Sequence, residues 1–168
     1  YADSVMANEN AIGFGPSYYD YLIWGNLADA YRFTPGNEAK AADAYLKAIE
    51  LIEKKLATDP GDARTRSSLA VYLAKMGERD RAVTEIENSR RAITNDSSLA
   101  LRAVIVYELT GARPKALEAV REYVRLKGPL DEIARDPFLA RLRQDPGYSD
   151  SVSGRSGGAG APTEKNQD

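Results

Sequence analysis

Apolar residues recur at helical spacing through most of the chain, broken by short polar turns rich in Gly, Pro, Asn and Asp. Leu27, Ala28 and Tyr31, with Trp24 one turn earlier, form a stripe that predicts a helix over about 18–33. Pro16, Ser17 and Asp20 supply its start signal, and Thr34-Pro35-Gly36 its stop. A second helix is expected over 38–57, ended by Asp59-Pro60-Gly61, after which Asp62 can cap the next through its carboxylate. Helices over 63–76 and 79–94 follow, divided by Gly77, then helices over 97–110 and 114–127, divided by Gly111, with Pro114 in a first turn that tolerates it. Beyond Gly128-Pro129 the pattern gives a short turn over 130–134 and a short helix over 137–143, capped by Asp136 and stopped by Asp145-Pro146-Gly147. That last helix is expected to cap the fold, with Phe138, Leu139 and Leu142 inward and Arg141 and Arg143 outward. Residues 1–15 lack a sustained period and read as a flexible lead-in. Residues 149–168 are rich in Ser and Gly and read as a disordered tail, leaving 16–148 as one folded domain.

The two central hairpins superimpose at a fixed offset. Leu69 falls on Ala103, Ala70 on Val104, Leu73 on Tyr107, Gly77 on Gly111, Ala82 on Ala116, Ile86 on Val120 and Ser89 on Tyr123, each pair 34 positions apart. Leu27 precedes Leu69 by 42, eight more than the period: about one extra residue lies in the turn and seven in the second helix. Seven residues are nearly two whole turns, so the lengthened helix keeps its apolar stripe toward its neighbours.

On these residues the chain resembles the tetratricopeptide family, whose unit is a helix-turn-helix of this period. Trp24, Leu27, Ala28 and Tyr31, then Ala41, Tyr45 and Ala48, match its pattern of small and aromatic positions by type. The resemblance covers roughly residues 20–127. It implies an all-α, right-handed solenoid of three helix hairpins with a short C-terminal capping helix, working as a non-catalytic protein-binding module. The strings WGNLADAYRFTPGNEAKAADAYLKAIE and DEIARDPFLARLRQDPGY are similar to the C-terminal repeat regions of bacterial multidomain signalling proteins that carry a kinase or adenylate cyclase domain. A chain opening on Tyr1 is itself expected to be a processed or excised piece of something longer.

Composition narrows the chemistry. There is no His and no Cys, which removes the side chain best suited to proton transfer near neutrality along with thiolate nucleophiles and disulfides. Missing cysteine leaves the compartment undetermined, with a cytoplasmic setting the default expectation. The net charge of −2 gives no field that would gather phosphate backbones, so nucleic acid is not an expected partner. No apolar run reaches the roughly 20 residues of a spanning helix. Glu118 and Glu122 share a helix face, yet Arg121 and Arg125 offer ordinary surface pairing, so an acid–base pair or metal site there is not favoured. We expect no enzyme activity, no metal and no cofactor.

In the family, the first helix of each hairpin lines a concave surface that holds a peptide or a partner helix. Helical projection onto this sequence gives Leu22, Asn26, Asp29 and Phe33, then Arg64, Ser67, Ser68 and Val71, then Leu101, Arg102, Ile105 and Glu108. Phe33, Val71, Leu101 and Ile105 are expected to supply affinity by desolvation, and Asn26, Arg64, Arg102 and Glu108 orientation. Asn26, Arg64 and Arg102 would suit a partner's carboxylate; Asp29, Val71 and Ile105 depart from the residues that such a clamp prefers. Tyr18 and Tyr19 form a candidate aromatic patch for a partner, for a preceding helix, or for another copy of the chain in a homo-oligomer.

Overall fold

The computed structural model describes residues 20–153, all of whose regular structure is helical. The lead-in 1–15, the Ser17 start signal, Tyr18, Tyr19 and the chain from 154 onward lie outside the described residues. Six helices form three successive pairs: α1 (Asp20–Arg32) with α2 (Glu38–Thr58), α3 (Ala63–Met76) with α4 (Arg79–Ala92), and α5 (Ser97–Thr110) with α6 (Arg113–Arg125). Each pair packs on the next, α3 against α2 and α5 against both α3 and α4, as in a helical repeat.

The 34-residue offset reappears as equivalent burial. Leu73 and Tyr107, Ala82 and Ala116, Ile86 and Val120, and Ser89 and Tyr123 are all buried at matching places. Gly77 and Gly111 end α3 and α5 with φ of 85° and 82°. In each turn the glycine N–H and the next N–H bond back to carbonyls of the last helical turn, a closure that a side chain at positive φ would strain. Asp62 and Asp96 cap α3 and α5 by accepting from the N–H of Thr65 (2.9 Å) and Leu99 (3.0 Å). Lys55 at the end of α2 pairs with Asp62 at 2.7 Å, tying the first helix pair to the second. The longer first unit is confirmed in α2, which has 21 residues against 14 in α4.

Gly25 sits inside α1, where a Cβ would fall within the Tyr72 ring of α3. Helix propensity alone would reward Gly25→Ala by about 1 kcal/mol. Displacing a buried tyrosine costs about 1–3 kcal/mol, so the clash wins. Gly25→Ala is therefore expected to lower the thermal midpoint, and a rise would mean that the two helices do not approach so closely.

The C-terminal segment departs from the sequence reading. The expected helix over 137–143 is instead two short 3-10 turns, Pro137–Leu139 and Leu142–Gln144. Leu139 ends the first turn and Leu142 begins the second, and both are fully buried. Arg143 does not face outward: its Nη1 donates to the carbonyls of Ile133 (2.8 Å) and Asp136 (2.7 Å). Asp145-Pro146-Gly147 does end the preceding segment, as expected, and it also opens a new helix. Asp145 accepts from Gly147 N–H at 2.9 Å and starts a further helix, α8 (Pro146–Val152), packed on α6. Residues 149–152, expected to lie in a disordered tail, are helical, and the fully buried Ser151 donates its hydroxyl to the Gly147 carbonyl at 2.7 Å. Between α6 and the first 3-10 turn lies α7 (Leu130–Arg135), which anchors Ile133 in the core.

Candidate functional site

The exposed faces of α1, α3 and α5 border one recess of about 380 Å³. Leu22, Asn26 and Asp29 come from α1, Ser68, Val71, Tyr72 and Lys75 from α3, and Ser98, Leu101, Arg102 and Ile105 from α5; Glu132 of α7 closes one end. Most of the projected residues thus meet. Beside the recess, and sharing Asp29, Leu101 and Glu132 with it, is a second hollow of about 550 Å³ that holds Phe33 with Ala30, Pro137 and Phe138.

Three projected residues do not join the site. Arg64 is in the first turn of α3 and pairs with Asp96 at 2.9 Å, on a different part of the surface. Ser67 is fully buried; its hydroxyl donates to the Arg64 carbonyl and accepts from Arg102 Nη1 at 3.1 Å, so it positions a groove residue without being one. Glu108 is turned toward the C-terminal segment, where it accepts from Arg113 Nη2 at 2.9 Å, and burial pushes its carboxyl above the ordinary range. A partner cannot be oriented by a carboxylate enclosed in that way. Val71 and Ile105 are only 7% and 8% exposed, so little apolar area remains on them to desolvate. Phe33, at 52%, and the half-buried Leu22 and Leu101 carry the accessible apolar surface.

Asp29 has a structural role that the projection missed. Lys75, whose side chain is 6% exposed, donates to both Asp29 oxygens at 2.7 and 2.8 Å, and the Tyr45 hydroxyl donates to Oδ1. Three rings surround the ammonium, with centroids at 4.4 Å for Phe138, 5.8 Å for Tyr45 and 5.9 Å for Tyr72. Burial and then the bond to Asp29 push the Tyr45 phenol upward, keeping it a protonated donor to Asp29, and burial does the same to the Tyr72 phenol. The α3 signal for Lys75 was available in principle, since it follows Val71 by four positions and shares its face. Glu132 and Phe138 gave no such signal, because they reach the site by a chain reversal outside the repeat.

The charges divide along the site. Lys75 is neutralised by Asp29, whereas Arg102 has no carboxylate partner among the described residues, its one bond being to Ser67. Asn26, Ser68 and Ser98 border the same recess, giving that end neutral hydrogen-bonding groups beside an uncompensated cation. Glu118 and Glu122, the other carboxylates considered, lie on α6, where Glu122 accepts from Arg90 of α4 at 2.5 Å. Among the described residues no cluster of three or more carboxylates is arranged to hold a metal, and no helix is long and apolar enough to cross a membrane. In comparisons with known proteins, no family model matches the chain, and no curated protein sequence does.

Proposed function

We propose that this chain is a tetratricopeptide-type, right-handed solenoid of three repeats that binds an extended peptide of another protein along the concave side formed by α1, α3 and α5. The observation that carries the reading is the continuous recess across equivalent faces of three consecutive hairpins, with Arg102 held by Ser67 and left without a carboxylate partner among the described residues. Partly covered apolar residues (Leu22, Leu101) beside a positioned cation suit a peptide bearing an acidic group, whose carboxylate would gain a charge-assisted bond. Such a module needs no cofactor and no turnover. The likeness of two strings to repeat arms of bacterial signalling proteins supports a role in bringing a partner to a larger polypeptide.

The test is selection of random peptides displayed on phage against the immobilised full chain, followed by titration of the best synthetic binder. Arg102→Glu and Leu22→Glu should each weaken binding by about tenfold or more while the helical circular dichroism stays unchanged. Ile105→Asp is a poorer probe, because a charge at a buried position would also disturb the fold. No enrichment on the native chain, or undiminished binding to both variants, rejects the reading.

A further inference from the structure

The hollow beside the recess is walled on one side by a segment that belongs to no repeat. The Tyr123 hydroxyl lies 2.8 Å from both the Pro129 carbonyl and Glu132 Oε2, its one proton shared between these two acceptors, and Arg143 holds the Ile133 and Asp136 carbonyls. With Ile133 and Leu139 fully buried, α7 and the following 3-10 turn are fixed in place. They bring Phe138 edge-on to Phe33, which immediately follows α1, centroids 5.1 Å apart at 64°, forming an aromatic floor that Pro137 and Leu101 extend.

Around that floor the charge is negative. Asp29, Glu132, Asp136 and Arg135 border the hollow, but Arg135 is paired with Asp131 at 2.8 Å and Asp29 with Lys75. Glu132 is exposed and has no cationic partner among the described residues. We propose that this hollow is a subsite for a lysine or arginine side chain of the bound peptide, its stem lying on Phe33 and Phe138 and its head reaching Glu132. A purely apolar side chain would desolvate Glu132 without compensation, and an acidic one would face two carboxylates. A basic side chain satisfies both the rings and the rim, since its methylenes cover apolar surface while its charge stays at the edge.

The inference rests on the peptide-binding reading and deepens it. The hollow shares Asp29, Leu101 and Glu132 with the recess that Arg102 lines, so one ligand can reach both. The ligand therefore carries an acidic residue for Arg102 and a basic one for Glu132.

The experiment uses the same displayed peptides on the full chain. The enriched sequences should pair an acidic residue with Lys or Arg. The best synthetic peptide and its basic-to-Gln variant are then titrated against the native protein and Glu132→Gln, which removes the charge but keeps an acceptor for Tyr123. Loss of the peptide's charge should weaken binding roughly tenfold on the native chain and less than twofold on Glu132→Gln. Phe33→Ala, at a half-exposed position, should weaken it by about fivefold with an unaltered melting curve. Enriched peptides that carry no basic residue, or an equal loss on both proteins, overturn the subsite while leaving peptide binding intact. No enrichment at all overturns both.

Discussion

Replacing Asp29 by Ala is expected to lower the unfolding free energy by about 3 kcal/mol, the low end of what removing one partner of a buried ion pair costs. The Lys75 ammonium would remain enclosed, with three aromatic rings as its only compensation. The fully buried Tyr45 would also lose its acceptor, which alone costs about 1–3 kcal/mol. Two features hold the total down: Asp29 is 34% exposed, so water can reach the vacated side, and the rings attract a cation in their own right. The same physics predicts a rescue. Combining Asp29→Leu with Lys75→Met and Tyr45→Phe removes every polar group of the cluster together and should return most of the stability, because a buried pair roughly balances its own desolvation. Urea unfolding with an unchanged m-value is the measurement. A loss below about 1 kcal/mol for Asp29→Ala would mean that the pair is open to solvent and that the Asp29 carboxylate is free to meet a partner in the groove it lines.

How the sequence ran short at the site follows from what a helical projection contains. It gives the angle of a residue around its axis and nothing of what arrives from elsewhere. Leu22, Asn26, Leu101 and Arg102 were legible because only the repeat decides their surroundings. Arg64 has a suitable angle, but it sits in the first turn of α3, where Asp96 of the next cap takes it. Glu108 has a suitable angle too, yet it lies at the last turn of α5, where Arg113 begins the following helix. The largest omission, Phe138 on Lys75, joins positions 63 apart in the chain, a separation unrelated to the period of 34. The turns, by contrast, were legible to within a residue or two, since Gly77 and Gly111 act through their own backbone and Asp62 and Asp96 through carboxylates that cap the backbone three residues on.

The period also predicts how the fold comes apart. Leu73 is fully buried in the middle helix pair, in a core that includes Ala70, Ala74 and Ala82, whose short side chains have nothing to extend into a void. Leu73→Ala should therefore cost about 3–5 kcal/mol, in the upper part of the range for such truncations, while Ala gains at most a few tenths from helix propensity. Leu27→Ala removes the same atoms from the first pair, where the side chain is 8% exposed, and should cost nearer 2–3 kcal/mol. The two should differ in kind as well as in size. In a stack whose stability is a sum over units and their interfaces, a defect in the first unit frays that end, whereas one in the middle weakens both interfaces at once. Hydrogen exchange should then show Leu27→Ala losing protection in α1 and α2 while α5 and α6 keep theirs, and Leu73→Ala losing it in all six helices together. Uniform loss in both variants would mean that the hairpins share one indivisible core, and the open face proposed for peptide binding would have to be reconsidered with it.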